Sequence, residues 1–301
     1  MLGLMTTTSA QLIDGRAIAA DFKRRTAQRV VDLRAKGRPV RLDAVIVAGV
    51  NAGARIYAEN QGKACNELGI EYTLHTLPAG ATHDDIAGRI LLLNTEDSVS
   101  AIMLNMPLPE GVDAARVQRL IQPEKDVEGV NPANIGNIVY GQSSLVPCTA
   151  LAVLTMIEST GIDLKGKNAV CVGASNIVGK PVAVLLMRHD ATVISCNKYT
   201  EDLESLTRSA DVLVSAVGKP GLITRDMVKP GAVVVDVGTT RIKDPGEGWR
   251  TVGDVDFANV REVAGWISPV PGGVGPVTVA MLLRNVVDAA ERRPMLPVSG
   301  G

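Results

Sequence analysis

Gly173 and Gly179 bracket the stretch of this 301-residue chain whose residue types and spacing point most directly to chemistry. Ala169 to Gly173 is short and mostly apolar, as a buried parallel strand should be. Pro181 falls where the first turn of a helix tolerates proline, and Val182, Ala183, Val184, Leu185, Leu186 and Met187 continue that helix. A strand, a glycine turn and a helix leave backbone N–H groups converging on one point. That is an anion site, and a nucleotide diphosphate is its usual occupant. The spacing Gly173-x-x-x-x-x-Gly179 lacks the middle glycine of G-x-G-x-x-G and carries Ser175 there. A tight strand-to-helix connection with no ligand is therefore the competing reading.

The elements around the turn support the ligand. Ala191 to Cys196, Ala210 to Ala216 and Gly231 to Gly238 read as further short strands, with helical patterns between several of them. Strands alternating with helices imply right-handed crossovers and a parallel sheet. Beyond the second strand, an NAD enzyme usually offers a carboxylate to the ribose 2′-hydroxyl. Here Asn197 and Lys198 follow Cys196, and no carboxylate occurs before Glu201. A basic residue suits a 2′-phosphate, so NADP is favoured, with NAD the alternative and a solvated surface role for Lys198 the plain one.

Length suggests two domains, because single cores stop growing at roughly 250–300 residues. A hydrophobic content of 46% with a net charge of −1 carries no nucleic-acid footprint. No apolar run approaches the ~20 residues needed to span a bilayer. The N-terminal residues lack a basic region and an apolar core, so they read as a loose terminus rather than a signal peptide. Cys65, Cys148, Cys171 and Cys196 are scattered and read as small buried hydrophobes in a reducing cytoplasm. His75, His83 and His189 have no ligand spacing, so no metal site is expected.

The first half alternates in the same way. Asp14 reads as the N-cap of a helix with Ile18, Phe22, Val30 and Leu33 on its apolar face, stopping at Gly37. Arg41–Ala48, Glu71–Leu77 and Ala101–Leu104 read as strands, and 54–68 and 83–94 as helices. A short helix is expected over 116–121, then a long connection through Asn134 and Gly141, and a helix over 150–159. Pro269 to Pro276 is a stiffened loop before a helix over 277–292, expected to cross back onto the first domain. Pro294 to Gly301 reads as a tail.

Gly173-Ala-Ser-Asn-Ile-Val-Gly-Lys-Pro181, Gly253-Asp-Val-Asp-Phe257 and, above all, Pro269-Val-Pro-Gly-Gly-Val-Gly-Pro-Val-Thr-Val-Ala-Met281 resemble the methylenetetrahydrofolate dehydrogenase/cyclohydrolase family. The similarity runs from Ile13-Asp-Gly15 to the terminal helix. It implies two α/β domains with a cleft between them, the second a Rossmann-type parallel sheet. The folate-binding catalytic domain would comprise 6–149 plus 277–301, and the NAD(P)-binding domain 150–276. The resemblance places the cofactor on Gly173, Ala174, Ser175, Ile177, Val178 and Gly179, with Asn197, Lys198, Thr240 and Gly275. It implies a folate substrate bound by Tyr57, Asn105, Glu128, Pro271, Gly272 and Gly273, and a catalytic set of Tyr57, Gln61, Asn105 and Asp126. A cytoplasmic homodimer, joined through the nucleotide domain, is the expected form.

Three departures fall in one pocket of that pattern. The family's Tyr-x-x-x-Lys is Tyr57 followed by Gln61, on one helix face. Its Gln-Leu-Pro-Leu-Pro is Asn105-Met-Pro-Leu-Pro109, and its Lys-Asp-Val-Asp-Gly is Lys125-Asp-Val-Glu-Gly129. Thr149-Ala150 and Gly238-Thr-Thr240 differ from the family's Thr-Pro and Gly-Ile-Asn. The family lysine can donate a proton, supply charge and activate water; a glutamine amide can only position a partner. Lys63 lies elsewhere around the helix. Hydride transfer depends chiefly on proximity and orientation, whereas opening the methenyl ring needs proton movement. The expected activity is thus dehydrogenation of 5,10-methylenetetrahydrofolate with cyclohydrolase weak or absent. The alternatives are a fully bifunctional enzyme in which Glu128 or Lys125 moves the proton, a shikimate- or amino-acid-type dehydrogenase disfavoured by the 271–276 loop, and a non-catalytic nucleotide-binding paralogue or drift at these positions.

Overall fold

A computed structural model describes residues 9–142, 144–244 and 248–292. The expected loose N-terminus before residue 9 and the tail from Pro294 lie outside the described residues. Strand β1 (Gln11–Leu12) leads into helix α1 (Gly15–Ala35). Asp14 opens that helix by accepting hydrogen bonds from the amides of Arg16 and Ala17, both at 3.0 Å, as an N-cap does. Ala19, Thr26, Val30 and Leu33 are buried at helical spacing, whereas Ile18 and Phe22 of the expected face are only half-buried.

Next come β2 (Arg41–Val47), α2 (Ala52–Glu67), β3 (Glu71–Leu77), α3 (His83–Thr95) and β4 (Ala101–Leu104). Asn51 caps α2 by accepting from the Gly53 amide, and Thr82 with Asp85 forms a reciprocal capping box on α3. The strands make a parallel sheet in the order β3-β2-β4, with Arg41 opposite Glu71 and Leu42 opposite both Tyr72 and Ala101. β2 is buried from Leu42 onward because it lies between two strands. The chain pairs β3 on one side of β2 and then crosses to β4 on the other. That reversal puts a crevice at the carboxyl ends of β2 and β4, from which α2 and Asn105 depart.

Helix α4 (Ala114–Gln118), capped by Asp113, starts two residues before the expected 116–121 segment. The expected long connection through Asn134 contains a helix, α5 (Pro132–Val139). Asn131 caps it and Pro132 starts it, while Asn134, Gly136 and Asn137 obscure it in the sequence because all three are weak helix formers.

The second half runs α6 (Cys148–Glu158), β5 (Asn168–Val172), α7 (Gly179–Arg188), β6 (Thr192–Cys196), α8 (Leu203–Arg208), β7 (Val212–Ser215), a 3₁₀ turn (Arg225–Met227) and β8 (Val233–Asp236). A hairpin of β9 (Thr240–Asp244) and β10 (Gly248–Val252) follows, then α9 (Phe257–Val260), β11 (Trp266–Ile267) and α10 (Val274–Arg292). The last helix starts three residues before the expected 277, inside the proline-glycine loop, since Pro276 is tolerated in a first turn. The large sheet is six-stranded and parallel in the order β1-β11-β8-β7-β5-β6. Here the order reverses between β5 and β7, so the Gly173 turn leaves the sheet at its switch point.

The chain divides into two compact units, one with described residues 9–19 and 149–278, the other 20–148 and 279–292. Gln11–Leu12, expected with the first domain, instead supply the edge strand β1 of the large sheet, paired with β11. Each unit has its own core. Val170, Leu213 and Val234 anchor the larger sheet, and Val45, Ile90 and Ile102 the smaller.

Candidate active site

Helix α2 carries Tyr57 and Gln61 one turn apart. Gln61 is 6% exposed, and its Nε2 donates to the thioether sulfur of Met103 on β4 at 2.8 Å. Its Oε1 is buried and has no hydrogen-bond partner among the described residues. Tyr57, Asn60, Gln61, Val279 and Leu282 line a cavity of about 100 Å³. Tyr57 is 47% exposed as a residue, and its hydroxyl's pKa is pushed up by burial and then by the negative field of Glu128.

Asn105 follows β4 and is buried. Its Nδ2 reaches back to the carbonyl of Val45 at 3.3 Å, so the short amide is turned onto its own sheet. Met106–Pro107 beyond it is a cis peptide. Asp126 pairs with Ile102 at the edge of β4 and is 1% exposed. Its Oδ2 accepts from the Asn131 amide at 2.7 Å and from Asn134 Nδ2 at 3.0 Å. Burial still raises its pKa, although the amides of Gly129 and Glu128 also donate to it. Glu128 is pushed up to about 7, by burial first and by Asp126 second. Tyr57, Asp126 and Glu128 thus share one electrostatic environment.

Lys125 does not belong to it. Its Nζ is bound by the carbonyls of Leu93, Asn94 and Glu96, at 3.0, 2.8 and 2.8 Å, where α3 ends. The ammonium satisfies the orphan carbonyls of a helix C-terminus. The reading in which Lys125 moves a proton for the folate is therefore corrected: the side chain is a cap.

In the other unit, Gly173 adopts φ +107°, and a Cβ there would lie 2.3 Å from the Ala216 carbonyl. A Cβ on Gly179 would meet the Gly173 carbonyl at 1.8 Å. Only glycine fits at either place, which is the geometry of a close-packed dinucleotide turn. One part of the free-amide reading needs correction. Ser175 Oγ already accepts from the amides of Val178 and Gly179, at 3.2 and 3.3 Å. The serine that stands for the middle glycine holds the turn closed. Ala174 is half-buried and Ile177 sits exposed at the tip.

Past β6, Asn197 Oδ1 accepts from the Tyr199 amide, and the Asn197 amide donates to Thr200 Oγ1. This tight turn presents Lys198, which is exposed and lies 4.8 Å over the Tyr199 ring. Thr240 Oγ1 donates to the Gly218 carbonyl at 3.1 Å. Pro271 follows a cis bond from Val270, and Pro271, Gly272, Gly273 and Gly275 line a cavity of about 220 Å³ together with Arg16 and Asp236. Gly275 belongs to the first turn of α10, not to a loop. The residues expected to bind folate are thus divided, Tyr57, Asn105 and Glu128 in one unit and Pro271 to Gly273 in the other. Asp236 and Arg16 were not singled out by the sequence; Asp236 could have been, as the carboxylate that ends a buried strand at the ligand edge.

The donor set fits a dinucleotide: a glycine turn at a sheet switch point, a helix N-terminus and a lysine beyond the second strand. Among the described residues no group of three or more His, Cys, Asp or Glu could hold a metal ion. Residues 13–128 match the model of the tetrahydrofolate dehydrogenase/cyclohydrolase catalytic domain, and residues 147–294 that of its NAD(P)-binding domain. The chain is 46% identical to the bifunctional protein FolD of Moorella thermoacetica, over 94% of this chain and 99% of that one. Its structure superposes with a TM-score of 0.91 on the bifunctional FolD of Campylobacter jejuni, at 40% identity over 95% of this chain and 100% of that one. The FolD of Trypanosoma brucei, solved with NADP cofactor and inhibitor, gives a TM-score of 0.88 at 38% identity, covering 95% and 98%. The chain belongs to the tetrahydrofolate dehydrogenase/cyclohydrolase family.

Proposed function

We infer that this protein oxidises 5,10-methylenetetrahydrofolate to 5,10-methenyltetrahydrofolate with NADP, and that it hydrolyses the methenyl product poorly or not at all. The carrying observation is Gln61: a buried, uncharged amide stands where the family pattern has a lysine, and it is engaged by Met103. NADP, when bound, supplies the hydride acceptor. The chain's own part in that step is orientation, which needs no side chain to change protonation. We assign the folate to the unit holding Tyr57, whose half-exposed ring offers a face to a planar ligand. Asn105 and Glu128 would border it. The dinucleotide is assigned to the Gly173 turn, with Lys198 facing a 2′-phosphate.

Methenyl hydrolysis asks for more, because water must lose a proton as it attacks. Positioned acid–base help is worth ~10²–10⁴-fold. Gln61 cannot give it, and Lys125 is committed to α3. Glu128, whose carboxyl is pushed up to about 7 beside Tyr57 and Asp126, remains available, and the relatives' bifunctional names favour it as the route by which a second activity would survive. Following NADP reduction with methylenetetrahydrofolate tests the dehydrogenase directly; tight NADPH binding without turnover would contradict it.

Four free, buried cysteines suit a reducing compartment, and among the described residues no helix is long and apolar enough to cross a membrane. We place the enzyme in the cytoplasm as a homodimer. The β9–β10 hairpin pairs only with itself among the described strands, and its Trp249 is 62% exposed. An isolated two-stranded hairpin is marginal in water, so a second copy is its natural cover. Light scattering on Trp249→Glu should read a monomer; an unchanged dimer contradicts this interface.

A further inference from the structure

The Gly253-Asp-Val-Asp-Phe257 segment contains a carboxylate that the site as described does not use. Asp254 is fully buried, and no lysine or arginine pairs with it among the described ion pairs. Its partners are instead the end of β7 and the loop that follows it. Oδ2 accepts from Ser215 Oγ at 2.9 Å and from the Val217 amide at 2.7 Å, while Oδ1 accepts from the Lys219 amide at 2.8 Å. A second carboxylate holds Asp254 in turn. Asp236 Oδ1 accepts from the amides of Asp254 and Gly238, at 3.0 and 2.9 Å, and Oδ2 from that of Val255 at 2.9 Å.

These bonds converge on the carboxyl edge of the large sheet. Ala216, inside the stapled loop, is the residue whose carbonyl lies against Gly173. Thr240 ties the loop after β8 to the same segment through Gly218. A Cβ on Gly238 would fall 2.2 Å from Asp254 Oδ1, so no bulkier residue could sit between the two loops without moving the carboxylate. In an open parallel sheet the ligand crevice lies between the loops that leave the two strands flanking the switch point. Those strands are β5 and β7. A surface loop would satisfy its amides with water; this one spends two of them, beside the Ser215 hydroxyl at the end of β7, on a single anion with no Lys or Arg partner among the described ion pairs, which is costly unless the loop's position matters.

We propose that Asp254 is a positioning residue for the dinucleotide, its carboxylate fixing residues 216–219 as one wall of the crevice that opens at Gly173. It does not touch the reacting atoms. The proposal rests on the assignment of the dinucleotide to this unit, and the two fail separately. NADPH binding is read by fluorescence titration without folate, so missing folate turnover would count against the proposed reaction alone.

The test is Asp254→Asn, which keeps size while replacing one acceptor by a donor that faces the Val217 amide. The expected result is a roughly ten-fold weaker NADPH Kd and NADP KM, with kcat at saturating NADP within about three-fold and the folate KM unchanged. Hydrogen exchange should quicken at the amides of 217 and 219 and stay slow in β5 and β7. A merely structural role would lower Tm and active fraction while leaving the Kd of the folded protein unchanged, and that result overturns the proposal. Ser215→Ala removes the one hydroxyl bond to the carboxylate and keeps both amide contacts, so it serves if Asp254→Asn does not fold. It should weaken NADPH about three-fold, and an unchanged Kd again overturns the proposal.

Discussion

Gln61 Nε2 lies 2.8 Å from the sulfur of Met103, and Gln61 Oε1 is buried without a partner among the described residues. The amide is thus half-satisfied, by the weakest of acceptors. An unpaired buried carbonyl oxygen costs roughly 1–3 kcal/mol, and removing a mismatched polar group can be neutral or stabilising. Gln61→Met should therefore leave Tm unchanged or raise it by a few degrees in the absence of ligand. A fall of more than about 5 °C would show that the amide is better bonded than this geometry implies.

Glu128 makes stability depend on pH in an unusual direction. Its pKa in the folded chain is about 7, above the ordinary 4.5. Between those values the folded protein holds a proton that the unfolded chain has released, so this group stabilises as pH falls. Above about 7 its charge, poorly hydrated and beside Asp126, is a cost. Glu128→Gln should be more stable than the parent at pH 8, by a few degrees in Tm, and the gap should close toward pH 5. Asp236, raised to about 6 by burial, is common to both proteins and cancels. A gap independent of pH contradicts the shift.

Lys125→Met removes a charged donor from three carbonyls while keeping the buried stem. Loss of that cap should cost about 2 kcal/mol, or roughly 4–8 °C in Tm, with dehydrogenase activity per folded molecule unchanged. Calorimetry and an active-site titration separate the two. A collapse of kcat with unaltered Tm would return Lys125 to the chemistry.

Lys198→Ala should raise the NADP KM by about ten-fold and leave the NAD KM alone, since only the former carries a 2′-phosphate for the ammonium to meet. Steady-state kinetics with both cofactors decides it. An equal change for both would place Lys198 outside the site.

How much of this was legible from residues alone depends on the range of the interaction. Glu71–Leu77 and Ala101–Leu104 are strands at the expected residues: the second is a short apolar run, and the first is a mixed segment whose bounds are set by Gly69 before it and by Pro78-Ala-Gly80 after it. The Gly173–Gly179 turn was readable since only glycine survives such close backbone approaches. Helix α5 was not, because its stability comes from the Asn131 cap and from packing rather than from propensity. The two-residue strand β1 exists only through its pairing with β11, more than 250 residues away in sequence, and β11 only as the strand between β1 and β8. Lys125 and Asp126 are neighbours in the chain, yet one caps α3 and the other faces Glu128; adjacency could not separate them. Ser175 stands in the sequence as a missing glycine, while its hydroxyl's grip on two amides depends on the folded turn. Asp254 was visible as part of a motif, but its partners lie 35 to 39 residues away.

The central claim is that the Gln61 site oxidises the folate bridge without effectively opening it. One preparation decides this: after NADP reduction with methylenetetrahydrofolate is confirmed, methenyltetrahydrofolate is supplied and its absorbance followed against buffer. The account predicts loss at no more than a few times the buffer rate, and at least a ten-fold gain in Gln61→Lys, within the ~10²–10⁴-fold that acid–base help can give. Rapid methenyl turnover by the unaltered protein, matching its dehydrogenase rate, would contradict it.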